Sequence, residues 1–595
     1  YEIGVRLVGS EMCIRDSVEA NAFDGCTGVT VLKLDCNKAS FGGNVFRGLG
    51  TATAGTAVSI GDAMTTIHAN LFAGGNKITD VYIGKSITTI GSSAFSGCSW
   101  LKHVSGCRSV KAVEAYAFDG CTSLETIALT DKIQSIGAYA FNNCSNLKDI
   151  ELGNSMTRLP AYAFANSGIV DPVLPASLES IGERCFYGCS GITAITLPEG
   201  LKSIGKEAFS RCSGLEEIAI PNSVKTLGSY AFANNAALKK AQIGTDITTL
   251  SDYAFASDPA LEVLEFKNPE TALLPTAIRG CTKLSDIQGY LLEDGILYNK
   301  DKTELVGVLN SSMAELVVPD TVTKIWDEAF RDCSIGKAVI SDSVTDIGDY
   351  AFYGCNMNTL ELGRSIVRIG DYAFYGNTRL TAIELPNSLR SIGDNAFYNC
   401  SSLTELTIPN SVETIGECAF YGCTSLGQLK LGENVSKIGA SAFFESNSLT
   451  SLTIPDSVKT IGANAFARMY LCTEITIGKG VESIGSNAFE RANALEKLYF
   501  NAESCADFNS SYNPFIYAGY NSKNTTLVLG DSVKRVPGNF TVCTNSGYRP
   551  YITSIQFGNE IKEIGAYAFC DLDYVTWSTL SMPKLKSLGD YAMYS

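Results

Sequence analysis

The chain has 595 residues, 18% of them charged and 45% apolar, with a formal net charge of −16. That length exceeds what one compact core sustains, so the chain is either several domains or an elongated repeat array. The composition excludes a disordered polymer, and acidic charge spread without long like-charged blocks disfavours a nucleic-acid or anionic-membrane partner.

Residues Tyr1–Ser17 carry neither an apolar core nor a repeat, and they resemble translated adaptor sequence, so 1–17 is set aside as a non-repeat scar. A periodic marker then begins, a phenylalanine usually preceded by alanine. It runs through Phe23, Phe46, Phe72, Phe95, Phe118, Phe141, Phe164, Phe186, Phe209, Phe232 and Phe255, almost always in steps of 22 or 23. Ile278 stands in once, and the marker returns at Phe330, Phe352, Phe374, Phe397, Phe420, Phe443, Phe466 and Phe489, then at Phe540 and Phe569, with Met593 last. Such a period is the signature of a solenoid of about twenty-three coils.

One copy shows the grammar. Leu406 and Ile408 alternate with Glu405 and Thr407, the period-2 pattern of a half-buried strand, and Pro409 and Asn410 end it. The remainder of the unit has room only for a tight or 3₁₀-like return, with Val412, Ile415, Phe420 and Cys423 directed inward. No single unit can bury its own apolar face, so coils must stack. The predicted fold is a right-handed repeat solenoid with one short parallel strand and one tight turn or 3₁₀ segment per coil.

Two interruptions divide the array into 18–285, 316–499 and 526–595. Between them, 286–315 reads as a β-hairpin about the polar Asn299-Lys300-Asp301-Lys302 turn, and 500–525 as an irregular aromatic-rich insertion. No run of about eighteen apolar residues occurs, so no membrane insertion is expected of this stretch. It opens without a signal peptide and stops in mid-repeat, so it reads as a fragment whose missing targeting or anchoring segments carry little meaning.

The unit resembles that of the BspA-like leucine-rich-repeat family, roughly LxxIxLPxSVxxIGxxAFxGC. It recurs at Leu380–Cys400 (LTAIELPNSLRSIGDNAFYNC), at Leu403–Cys423, and as a variant at Ile192–Cys212 (ITAITLPEGLKSIGKEAFSRC). The resemblance covers nearly all of 18–595, hairpin included. It implies a surface-exposed or secreted protein of a host-associated microbe, of a kind several of whose members are regarded as adhesins for extracellular-matrix or plasma proteins. It names no ligand, because the consensus residues build the coil.

Chemistry is sparse. Twelve of the 20 cysteines (Cys26, Cys98, Cys121, Cys144, Cys189, Cys212, Cys281, Cys333, Cys355, Cys400, Cys423 and Cys543) fall three residues after the marker. Ser167, Asn235, Asp258 and Asn377 fill the same slot, which favours small buried packing groups over a ladder of disulfides. Cys185 with Cys189, and Cys418 with Cys423, lack C-x₂-C spacing and a nearby histidine, so no metal is expected. The only histidines are His68 and His103, which leaves little from which to build a catalytic pair. Gly84-Lys85-Ser86 has Thr79 where a phosphate loop needs glycine. A pair of opposed carboxylates for glycan cleavage is not excluded by spacing, but exposure already explains most acidic positions. No enzyme and no cofactor are expected.

A binding surface remains. Tyrosines recur two before the marker, at Tyr116, Tyr139, Tyr162, Tyr230, Tyr253, Tyr350 and Tyr372, and one after it, at Tyr187, Tyr353, Tyr375, Tyr398 and Tyr421. Exposed, they would stack on sugars or anchor a protein; half-buried, they would merely finish the coil, and recurrence in step with the fold favours the latter. The ligand-binding candidates are Tyr230, Tyr253, Tyr350 and Tyr372 with the outward strand residues Glu361, Glu384 and Glu405. The expected function is non-enzymatic adhesion, outside the cell or at its surface, to an extracellular protein or glycan, with oligomeric state left open. The alternative is a spacer that presents another domain.

Overall fold

A computed structural model of the chain describes residues 17–594, apart from 25, 27–28, 36–39, 50–54, 543–548, 571, 573–574 and 576–580. Residues 1–16 of the suspected scar, and Cys543, lie outside the described residues. The chain forms two compact units, Tyr1–Gly295 and Ile296–Ser595.

Both units are stacks of coils joined by parallel strand pairing. In the second unit Glu405–Thr407 pairs with Gln428–Lys430, Glu405 opposite Gln428 and Leu406 opposite Leu429. Alternation does what the sequence requires: Leu406 is buried while Glu405 and Thr407 face solvent. Val412, Ile415, Phe420 and Cys423 are all buried, as read from the repeat.

Most coils carry a second strand that the pattern did not announce. It is only two residues long, such as Thr414–Ile415, yet it pairs in register with its counterparts Ser391–Ile392 and Lys437–Ile438. In the second unit this series runs unbroken from Glu304–Val308 to Ser483–Ile484. Ile296–Asn299 pairs antiparallel with Glu304–Val308, a hairpin that opens this sheet. Named 3₁₀ segments occur at Cys107–Ser109 and Pro275–Ile278; other returns are turns.

Within each unit the marker phenylalanines stack on one another, and nearly all are buried. Phe397, Phe420 and Phe443 lie with centroids 5.1 and 5.2 Å apart and planes within 4°. Parallel offset stacking adds to the burial of each ring. Phe515 continues the stack, 5.2 Å from Phe489 and 5.7 Å from Phe540. The stretch read as an irregular insertion therefore contributes a coil, and Lys497–Phe500 pairs directly with Thr525–Leu529.

Three residues past the marker, the thiol donates to the marker carbonyl of the preceding coil: Cys121 to Phe95 at 3.1 Å, Cys144 to Phe118 at 3.1 Å, Cys212 to Phe186 at 3.1 Å. Asn377 makes the same bond through Nδ2, to Phe352 at 3.0 Å. The slot thus selects a small donor that gives a buried carbonyl a second hydrogen bond, beside the one it accepts from the backbone N–H three residues on in its own coil. Cys98, Cys121, Cys144 and Cys212 are thiols rather than disulfides, and burial pushes the Cys98 thiol up to about 12.

Asp258 occupies this slot, fully buried. Its Oδ1 accepts the Asn235 N–H at 2.7 Å, and its Oδ2 has no hydrogen-bond partner among the described residues. Burial pushes its carboxyl well above the ordinary carboxylate range. The folded state therefore holds this proton more tightly than the unfolded chain. The stability gained is complete below the unfolded value and is lost as pH rises through the folded one, at about 1.4 kcal/mol per pH unit between them. Asp258→Asn, with a side chain the slot already accepts at Asn235 and Asn377, is expected to be more stable than the parent at neutral pH. The two should converge toward pH 4 in urea titrations; a gap independent of pH would show Asp258 to be charged in the fold.

Candidate functional site

In the second unit the outward strand positions of three coils line a groove of about 910 Å³, bounded by Thr359–Leu362, Ala382–Pro386 and Glu405–Pro409. Strand alternation buries Leu360, Ile383 and Leu406 beneath it and turns Glu361, Glu384 and Glu405 into solvent. All three glutamates singled out from the sequence are in this groove.

The sheet is interrupted here. Thr359–Glu361 ends one hydrogen-bonded series and Glu405–Thr407 starts the next. Among the described residues, Ala382, Ile383 and Glu384 make no hydrogen bond to either neighbouring coil; the nearest link is from Thr404 N–H to the Thr381 carbonyl at 3.1 Å. The regular strand pairing is therefore interrupted beneath the groove.

Its electrostatics are negative. Lys337 Nζ lies 2.9 Å from Glu361 and 3.5 Å from Glu315, forming a chain of exposed ion pairs on the face. Exposed pairs of this kind contribute little to stability. Glu384 and Glu405 form no ion pair among the described residues, and Arg364 is the one cation in the lining. The groove retains an acidic excess that the fold does not consume.

The candidate tyrosines lie elsewhere on the coils and do not line the groove. Tyr350 and Tyr372 stack at 4.6 Å with planes within 3°, and Tyr230 and Tyr253, in the first unit, at 4.7 Å and 4°. All four are half-buried. Because each pair turns its ring faces on one another, what reaches solvent is chiefly ring edge and hydroxyl. Sugar rings stack on aromatic faces, and within these pairs the facing surfaces are already used.

The seven tyrosines named from the sequence two before the marker sit at φ between +55° and +59°, a left-handed turn position. Asn395, Asn464 and Asn487 fill it in other coils at +56° to +57°. Asparagine is suited to this conformation, whereas a bulky ring there is costly. Stacking and partial burial offset that cost where tyrosine occurs.

A second aromatic column escaped the candidate set. Tyr353, Tyr375, Tyr398, Tyr421 and Phe444 stack at 4.7, 4.7, 4.5 and 4.8 Å. Arg331 lies over Tyr350 and Tyr353 at one end, and Arg468 lies 5.0 Å over Phe444 at the other. Each arginine is held by a glutamate, Arg331 by Glu328 at 2.9 Å and Arg468 by Glu445 at 2.6 Å. The column is thus closed at both ends by cation–π contacts. The tyrosine spacing was visible in the sequence; the arginines were not, because they occupy different slots of the repeat.

The first unit has a smaller, mostly apolar groove of about 480 Å³ around Pro172–Leu174 and Ala194–Thr196. Val173 is 84% exposed there. Asp171 accepts the N–H groups of Ala194 and Thr193 at 2.8 and 2.7 Å, which hold its carboxyl below the usual range. Among the described residues no cluster of three or more His, Cys, Asp or Glu is placed to hold a metal, and no helix is long and apolar enough to cross a membrane.

Stacked coils whose recurrent residues build the core, and whose variable strand positions face solvent, define a leucine-rich-repeat scaffold, a class that generally binds rather than catalyses. The chain belongs to the BspA-type leucine-rich-repeat family: the profile described as "BspA type Leucine rich repeat region" matches six times, over 15–125, 65–193, 157–285, 309–409, 390–513 and 541–595. Similar solved structures include a leucine-rich repeat protein from Bacteroides ovatus, 26% identical, covering 71% of this chain and 86% of its own, with a TM-score of 0.29. A leucine-rich cell surface protein from Faecalibacterium prausnitzii is 25% identical, covering 62% and 83%, with a TM-score of 0.30. No curated protein matches the chain.

Proposed function

We propose that the chain is a non-enzymatic adhesion module, at the cell surface or secreted, that binds an extracellular protein. The observation that carries this reading is the groove at Thr359–Pro409, where three exposed glutamates converge over an interrupted sheet on a face that the core does not require. The family's bacterial relatives, one of them described as a cell surface protein, support the location.

The acidic excess selects against polyanions and for basic or neutral polar partners. The stacking of the tyrosines on one another favours a protein ligand over a glycan that needs open aromatic faces. In a binding assay on immobilised matrix proteins and glycans, the whole chain is expected to bind at least one protein saturably, and less tightly as salt rises. Absence of binding across a broad panel would overturn the reading, and preference for glycans alone would replace its ligand class.

A further inference from the structure

We propose that the tyrosine stacks are sites of oxidative coupling: with a peroxide-driven one-electron oxidant, Tyr398 joins Tyr421, and Tyr139 joins Tyr162, as dityrosine between adjacent coils. The stacking of coils places these phenols in parallel and holds them there. Tyr398 and Tyr421 lie 4.5 Å apart with planes within 3°, and Tyr139 and Tyr162 lie 4.4 Å apart within 9°. All four rings are half-buried, so an oxidant reaches their edges while the coils fix their faces.

The chemistry balances within the pair and its oxidant. Each tyrosine gives one electron to the oxidant and its phenolic proton to water, leaving a phenoxyl radical whose spin density extends to the ring carbons ortho to oxygen. Two such radicals in face-to-face contact form one Cε–Cε bond, since attack on an ortho carbon comes from above the ring plane. The ring hydrogens on those carbons then move to the oxygens and restore both phenols. The pair has lost two hydrogen atoms, and one hydrogen peroxide has become two waters. The buried phenylalanine stack shares the geometry but has no phenol to oxidise.

Each coupling would link positions 23 residues apart, Tyr139 to Tyr162 and Tyr398 to Tyr421. A link of this kind restricts the unfolded chain as a disulfide does. Cys418, a half-buried thiol beside Tyr398, would reduce a radical formed there, so the test is made in Cys418→Ser as well as in the parent.

The whole chain, kept dilute, is treated with hydrogen peroxide and a haem peroxidase, digested, and mapped by mass spectrometry. The expected product is monomeric and fluoresces as dityrosine. It contains the peptide pairs Tyr398–Tyr421 and Tyr139–Tyr162, each lighter by two hydrogens than the sum of its parts. Tyr421→Phe keeps a ring in a column that already accepts Phe444; it is expected to abolish the first pair and leave the second. Coupling confined to the more exposed Tyr82 and Tyr512, coupling only between molecules, or no dityrosine at all would each overturn the proposal.

Discussion

Replacing Phe420 by alanine is expected to lower the stability of the second unit by about 3–5 kcal/mol, the range for truncating a fully buried aromatic side chain. The ring is wholly buried and lies between Phe397 and Phe443 at 5.1 and 5.2 Å, so its loss removes contacts on both sides at once. Coils above and below are held apart by their own backbone pairing and cannot close the gap. In a stack where each coil contacts only its neighbours, the damage should also be local. Urea unfolding should show the loss, and hydrogen exchange should place it in coils near 397–443 while protection in the first unit is retained. A loss below about 1 kcal/mol would mean that the phenylalanine stack does not carry the core.

Gly416→Ala is expected to cost about 1–3 kcal/mol, a large effect for one added methyl. A Cβ at this position would lie 2.6 Å from the Gly393 carbonyl carbon and 2.7 Å from the Asp394 nitrogen. The two-residue strand Thr414–Ile415 ends here, and the Gly416 N–H donates to the Ile392 carbonyl at 3.0 Å. Backbone therefore passes directly over backbone, and relief of the clash would break coil-to-coil bonds. Chemical unfolding of the variant checks this. A change within about 0.5 kcal/mol would show that the coils separate there at little cost.

The sequence exposes those parts of the fold that depend on side-chain type at a fixed spacing. Phe420 recurs in step, and Leu406 alternates with Glu405 and Thr407, so the core column and one strand were readable directly. Thr414–Ile415 was not, because two residues hold no alternation. Phe515 was missed because it lies 26 residues after Phe489 and 25 before Phe540, off the usual step, and follows a proline, although its ring occupies the same place in the stack.

The site was legible in part for the same reason. Outward glutamates follow from strand parity, so Glu361, Glu384 and Glu405 were found; that the sheet opens beneath them depends on backbone hydrogen bonds no residue pattern encodes. The tyrosines were found by spacing, but their left-handed backbone was not, since tyrosine is an unusual choice at positive φ. Val173, in a coil whose prolines displace the usual pattern, is an exposed apolar residue that the repeat gave no reason to expect.

We propose that the acidic groove of the second unit is the binding face, and a charge-neutralised variant decides it. Binding of the parent chain and of the triple variant Glu361→Gln, Glu384→Gln, Glu405→Gln is measured against the same immobilised protein ligand, with unfolding midpoints recorded alongside. The expected result is affinity weakened by about tenfold or more, roughly 1.4 kcal/mol or above, with an unchanged unfolding midpoint, because these side chains are exposed and outside the core. Undiminished binding by a variant of unchanged stability would contradict the claim and place the ligand on another face.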